Sequence, residues 1–111
     1  MKAKILSLVV LFLMGIMSVL AQVKTEKFKV YGNCSMCEQR IEKAALKVEG
    51  VNAVDWNKET KMIEVSFDQK KTDWDKIHMA IVKAGYDTDL LKAKSKNYYE
   101  LPGCCQYDRP E

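Results

Sequence analysis

The feature that most constrains this chain is the abrupt change of hydrophobic period at Gly32-Asn33-Cys34-Ser35-Met36-Cys37. Before it, Phe28 and Val30 alternate with Lys27, Lys29 and Tyr31. That period of two predicts a half-buried strand over Lys24–Tyr31. After it, Cys37, Ile41, Ala44, Ala45 and Val48 recur at spacings of three and four, the stripe of an amphipathic helix. Ser35 with Glu38 three residues on reads as a capping box, and Gly50 as the helix stop. Two thiols, Cys34 and Cys37, therefore fall at the N-terminus of a helix. Free backbone N–H groups and the positive end of the helix dipole favour the thiolate there. The thiolate is the form that binds metal or attacks disulfides.

The remaining elements follow by the same test. Val51–Trp56 and Met62–Asp68 read as strands joined by the polar turn Asn57-Lys58-Glu59-Thr60, with Ile63, Val65 and Phe67 on one face. Thr72 with Asp75 suggests a second capping box, followed by the stripe Trp74, Ile77, Ile81 and Ala84, ending at Gly85. Asp87–Ala93 is a candidate last strand. The order strand, helix, strand, strand, helix, strand predicts an α+β, ferredoxin-like βαββαβ sandwich: a four-stranded antiparallel sheet with two helices on one face. An irregular C-terminal tail follows.

Residues 1–21 stand apart. Lys2 and Lys4 precede an apolar run from Ile5 to Leu20, and Val19-Leu20-Ala21 precedes Gln22. A positive start, an apolar core and small residues before a break describe a secretory signal peptide, cut after Ala21. The run is short of the roughly 20 residues of a spanning helix, so no stable membrane anchor is expected after cleavage. The divisions are then 1–21 signal peptide, 22–94 folded domain and 95–111 cysteine-containing tail. Removing Lys2 and Lys4 from the chain's 18 basic residues leaves 16 against 15 acidic ones. No basic patch invites nucleic acid. The expected export to the periplasm makes the four cysteines the residues to explain.

Two thiolates at CxxC spacing can hold a soft d¹⁰ ion in two-coordinate geometry. Cu(I) is the first choice for soft sulfur ligands; Hg(II) and Zn(II) are alternatives, although zinc prefers four ligands. A structural disulfide between Cys34 and Cys37 is the plain alternative, but so short a loop constrains little chain entropy. A small thiol–disulfide oxidoreductase also places CxxC at a helix start. Ser35-Met36 between the thiols, and no proline from Tyr31 to Leu101, speak against it. No nucleophile, base and oxyanion constellation assembles, so no enzyme is expected.

Together these motifs resemble the heavy-metal-associated domain of copper chaperones, mercury-binding periplasmic proteins and metal-pumping ATPases. The resemblance covers about Lys24 to Ala93. It rests on the CxxC after the first strand, Glu49-Gly50-Val51-Asn52-Ala53-Val54, Ile63-Glu64-Val65-Ser66-Phe67-Asp68, and Ile77 through Ala84-Gly85-Tyr86. It implies metal bound by Cys34 and Cys37 and passed by thiolate exchange to a metal-transporting ATPase or other metalloprotein. The expected state is a monomer, or a dimer bridged by metal. It also implies Tyr86 near the metal loop. One departure is Gly32, which stands where the family's loop methionine would pack; Met36 is a candidate replacement.

Cys104-Cys105 is the least expected feature. Adjacent cysteines bridge each other only with strain. The ten residues from Lys94 to Cys104 can span roughly 33 Å if extended, enough to return to the CxxC. Either tail cysteine could thus add a third thiolate, against an intermolecular disulfide or a separate thiol site. His78 reads as a boundary residue of its helix and not a ligand. Met62 and Met79 read as core or rim fillers, and Trp56 and Trp74 as packing residues.

Overall fold

The structure, a computed structural model, describes residues 22–110. The segment assigned to a signal peptide lies outside them. Among the described residues no helix is long and apolar enough to cross a membrane.

Strand β1 (Val23–Lys29) leads to helix α1 (Ser35–Leu46), then β2 (Val51–Trp56), β3 (Met62–Asp68) and helix α2 (Trp74–Lys83). The sheet order is β1-β3-β2, with both pairings antiparallel. Ile63, Val65 and Phe67 point into the core, as their period-two spacing predicts. In β2 the spacing of Val51, Val54 and Trp56 departs from a strict period of two. A bulge between Val51 and Ala53 shifts the register, so that Val54 lies opposite Val65 and Trp56 opposite Ile63. Phe28, Ile41, Ala45, Ile77 and Ile81 complete the layer between sheet and helices. Each fully buried isoleucine contributes about 1.5–3 kcal/mol.

Both helices start one residue away from the expected cap. Cys34, extended at φ −151°, is the N-cap of α1, and Ser35 is its first helical residue. Asp73 caps α2, its carboxylate accepting from the Lys76 N–H at 2.9 Å, while Thr72 is buried. Helix α1 ends at Leu46, before Gly50. Gly50 takes φ +100° in the turn into β2.

The fourth strand is not formed. Its segment touches β1's end through a single bridge, Val30 with Thr88. Side chains there take the N–H groups that a ladder would use. The Thr88 hydroxyl accepts from the Leu90 and Leu91 N–H groups, and the Asp87 carboxylate accepts from the Ala93 N–H at 2.7 Å. Such side-chain capture competes directly with strand pairing.

The tail is also more ordered than its composition suggests. It forms a short helix α3 (Ser95–Tyr99) and a 3₁₀ turn over Gly103–Cys105. Leu101, Cys105 and Tyr107 are buried in the same core as the sheet. Gly85 makes the close approach possible. At φ +106°, a Cβ there would lie 2.8 Å from the Asn97 carbonyl oxygen and 3.1 Å from Leu101.

Candidate metal centre

The end of β1 and the cap of α1 place the first two thiols. Cys34 Sγ lies 3.3 Å from Cys37 Sγ. The Cys37 thiol, fully buried, donates to Asn33 Oδ1 at 3.1 Å. Cys34 is partly exposed, and the backbone N–H groups of Cys37 and Met36 face its sulfur. Burial pushes its pKa up; those N–H groups and the neighbouring Cys37 and Cys105 thiols outweigh it and hold Cys34 below its ordinary value. No side-chain bond caps the helix; a thiolate at Cys34 would face the positive end of the helix dipole.

The loop's missing methionine has a different substitute from the one expected. Met36 is 48% exposed, its Sδ 3.7 Å from the Cys104 Sγ. Instead the Trp56 indole fills the space: a Cβ on Gly32 would lie 3.0 Å from its ring and 3.1 Å from Ile41 Cδ1. Trp56 is fixed there by donating Nε1–H to the Val30 and Lys61 carbonyls at 3.0 and 3.2 Å.

The tail delivers the other two thiols. Cys105 Sγ is 3.8 Å from Cys34 Sγ, and Cys104 Sγ is 3.9 Å from Cys105 Sγ. The sulfurs of Cys34, Cys104 and Cys105 all lie within 4.8 Å of one another. Cys105 is fully buried, and burial pushes its thiol up to about 12, with Cys37 and Cys34 adding to the shift. Cys104 is exposed, its thiol directed at Met36 Sδ at 3.7 Å.

Tyr86 lies beside the Cys105 and Cys37 thiols, and its hydroxyl has no hydrogen-bond partner. Burial, followed by those two thiols, raises its pKa far above the ordinary value. A buried hydroxyl without an acceptor costs about 1–3 kcal/mol.

Other candidates lie elsewhere. His78 is not at the boundary but fully buried, stacked on Phe28 with ring centroids 3.9 Å apart and with Nδ1 2.7 Å from Thr88 Oγ1. Burial lowers its pKa. Met62 and Met79 are exposed at 37% and 46%, on the rim and not in the core. Trp74 packs edge-on to Phe28.

Sequence reasoning missed what anchors the tail. Tyr107 Oη accepts from the Asp87 N–H at 2.7 Å and donates to the Gly85 carbonyl at 2.9 Å. Arg109 grips Asp87 through Nε and Nη2, both at 2.8 Å, and donates to the Ala93 carbonyl. Burial raises the Asp87 pKa, but Arg109, the Ala93 N–H and Tyr107 together hold it below the usual carboxylate value. The available signal was Leu101 and Tyr107 flanking the cysteines in an otherwise polar stretch.

A three-stranded antiparallel sheet with two helices, presenting two thiols at a helix N-terminus, is an arrangement able to hold a soft metal ion. The heavy-metal-associated domain profile matches residues 27–87. The mercuric transport protein periplasmic component of Shewanella putrefaciens is 35% identical over 88 residues, which cover 78% of this chain and 97% of that protein. A copper-exporting P-type ATPase of Staphylococcus aureus is 35% identical over 69 residues, 61% of this chain but 9% of the ATPase. Oxidised MerP from Ralstonia metallidurans superposes with TM-score 0.58 at 40% identity, covering 60% of this chain and 94% of its own. A CopZ metallochaperone gives TM-score 0.57 at 30% identity, covering 59% and 98%. The chain belongs to the heavy-metal-associated domain family and is a heavy-metal-binding protein.

Proposed function

We propose that Cys34 and Cys37 bind a soft heavy-metal ion and that the protein hands it on by thiolate exchange, as a carrier and not an enzyme. The observation that carries this reading is the 3.3 Å separation of the two sulfurs at the cap of α1. There the facing N–H groups stabilise the thiolate of the partly exposed Cys34. An incoming thiol can attack a metal held at such a rim without prior release.

Two cargoes fit the same pair, and each has its own support. Cu(I) follows from ligand softness and from the likeness to the CopZ metallochaperone and the copper-exporting ATPase. Hg(II) is supported by the Shewanella mercuric transport component, matched along nearly its whole length. The receiving partner is a membrane metal transporter or a second metalloprotein offering thiols. The periplasmic placement of the mercuric relative supports export, in keeping with the N-terminal pattern of residues 1–21. The relatives lend nothing to the oxidoreductase alternative.

Competition titration of the reduced protein tests the reading, with Cu(I) and with Hg(II) in separate oxygen-free experiments against chelators of known affinity. One tight equivalent, absent from the Cys34→Ser/Cys37→Ser variant, is expected. Equal affinity in that double variant would remove Cys34 and Cys37 from the site, and the tighter of the two ions identifies the cargo.

A further inference from the structure

The tail does more than cover the site. Cys105 is held from both sides: Leu101 is buried before it, and after it Tyr107 is tied to Gly85 and Asp87. Arg109 closes the strap on Asp87. The thiol is therefore positioned by a built scaffold, 3.8 Å from Cys34 Sγ and facing Cys37. The Tyr86 hydroxyl, fully buried, lies against the same two sulfurs with no acceptor.

Spacing separates two coordination geometries. With metal–sulfur bonds of about 2.3 Å, as in zinc thiolates, two sulfurs sit about 4.6 Å apart on a linear centre and about 4.0 Å apart on a trigonal one. Starting from 3.3 Å, the Cys34–Cys37 pair must open by about 1.3 Å for the first and about 0.7 Å for the second. Cys34 and Cys105, at 3.8 Å, already match the trigonal spacing.

We propose that Cys34, Cys37 and Cys105 form a three-thiolate site for a soft d¹⁰ metal ion, the folded tail supplying the third ligand from within the chain. This rests on the reading of Cys34 and Cys37 as the metal-binding pair. Binding releases the protons of the coordinating thiols to solvent. Cys105 occupies the position that a partner's first incoming thiol would otherwise take. Transfer then requires a partner thiol to displace it, and the protein retains its cargo more firmly than a bare CxxC domain does. Cys104 Sγ also lies within 4.8 Å of the Cys34 and Cys105 sulfurs, but it is exposed and directed at Met36 Sδ, and we place it outside the set.

The test is X-ray absorption on the reduced protein loaded with one equivalent of Cu(I) without oxygen, paired with chelator competition. Three sulfurs are expected around copper in the unmodified protein and in Cys104→Ser, and two in Cys105→Ser. Losing a residue that merely orients a ligand costs about 10–100-fold in metal affinity. Cys105→Ser should therefore bind at least about tenfold more weakly. Two sulfurs in the unmodified protein would overturn the three-thiolate site while leaving the dithiolate reading intact, provided Cys34→Ser/Cys37→Ser still abolishes binding. A third sulfur lost in Cys104→Ser instead would overturn the assignment to Cys105. Tight binding of neither Cu(I) nor Hg(II) to the unmodified protein would overturn both readings. The distinction between two and three sulfurs is made on the unmodified protein, so that part of the test does not depend on any variant folding.

Discussion

The sulfurs gathered at one end of this molecule arrive by two different routes. Cys34 and Cys37 are brought together by local geometry: one turn of α1 sets their spacing, and no distant contact is needed. Cys105 reaches the same place from 71 residues away. It is held there by the buried Leu101 and by Tyr107 and Arg109, which bond to Gly85, Asp87 and Ala93. The local pair should tolerate damage elsewhere in the fold. The remote thiol should be lost whenever its anchors are cut. Chemistry that must persist is encoded in one turn; chemistry that modifies it is placed on a strap that can be untied.

The largest effect expected from breaking this comparison is at the local pair. Cys34→Ser/Cys37→Ser should abolish tight metal binding in the competition titration. Because Cys37 is fully buried, its polar replacement should also lower metal-free stability by about 1–3 kcal/mol, read from the urea midpoint.

Next comes the strap. Asp87→Asn leaves the Arg109 guanidinium without its carboxylate and should destabilise the protein by about 2–4 kcal/mol, allowing for Arg109's partial exposure. Amide exchange around Tyr107 should accelerate while α1 stays protected. Uniform acceleration across both regions would show that tail and domain unfold as one unit, and the comparison would break.

Gly32→Ala probes the support under the metal loop. The added methyl meets Trp56 and Ile41 at 3.0–3.1 Å, so a loss of about 1–3 kcal/mol is expected from overpacking. A smaller loss in a Trp56→Phe background, measured as a double-mutant cycle, would locate the strain at the indole.

Acid should produce the smallest effect. Burial holds His78 below its ordinary 6.5, so the unfolded chain takes up a proton first. Its contribution is complete above pH 6.5 and declines as pH falls below that value. Asp87, also held low, contributes fully above its ordinary 3.8 and is lost as pH falls further, through its folded value. Urea midpoints across this range should show both declines. His78→Leu should remove the upper one and keep the lower.

Much of the fold could be read along the chain, for a physical reason. Period-two and period-3.6 patterns report which side chains face the core, and Phe28, Ile41, Ile63, Val65, Phe67, Ile77 and Ile81 all do. The helix starts were read one residue off because several polar residues at each start can serve as caps, and only the backbone path selects Cys34 and Asp73. The last strand was misread because apolar spacing says nothing about competition for N–H groups. In Asp87–Ala93 two short side chains won that competition.

The candidate site divides in the same way. Cys34, Cys37 and their helix cap follow from residues adjacent in sequence, where bonded geometry leaves little freedom. Trp56 beneath Gly32, Tyr86 without an acceptor and Cys105 beside Cys34 join segments far apart in the chain. The sequence by itself determined a dithiol at a helix N-terminus on a sheet-and-helix core, because short-range periodicity and capping chemistry are written locally. Only the tertiary structure decided which tail sulfur lies against that dithiol. That outcome depends on Asp87, Arg109 and Tyr107 meeting in space, and the reach of a flexible tail permits many other endings.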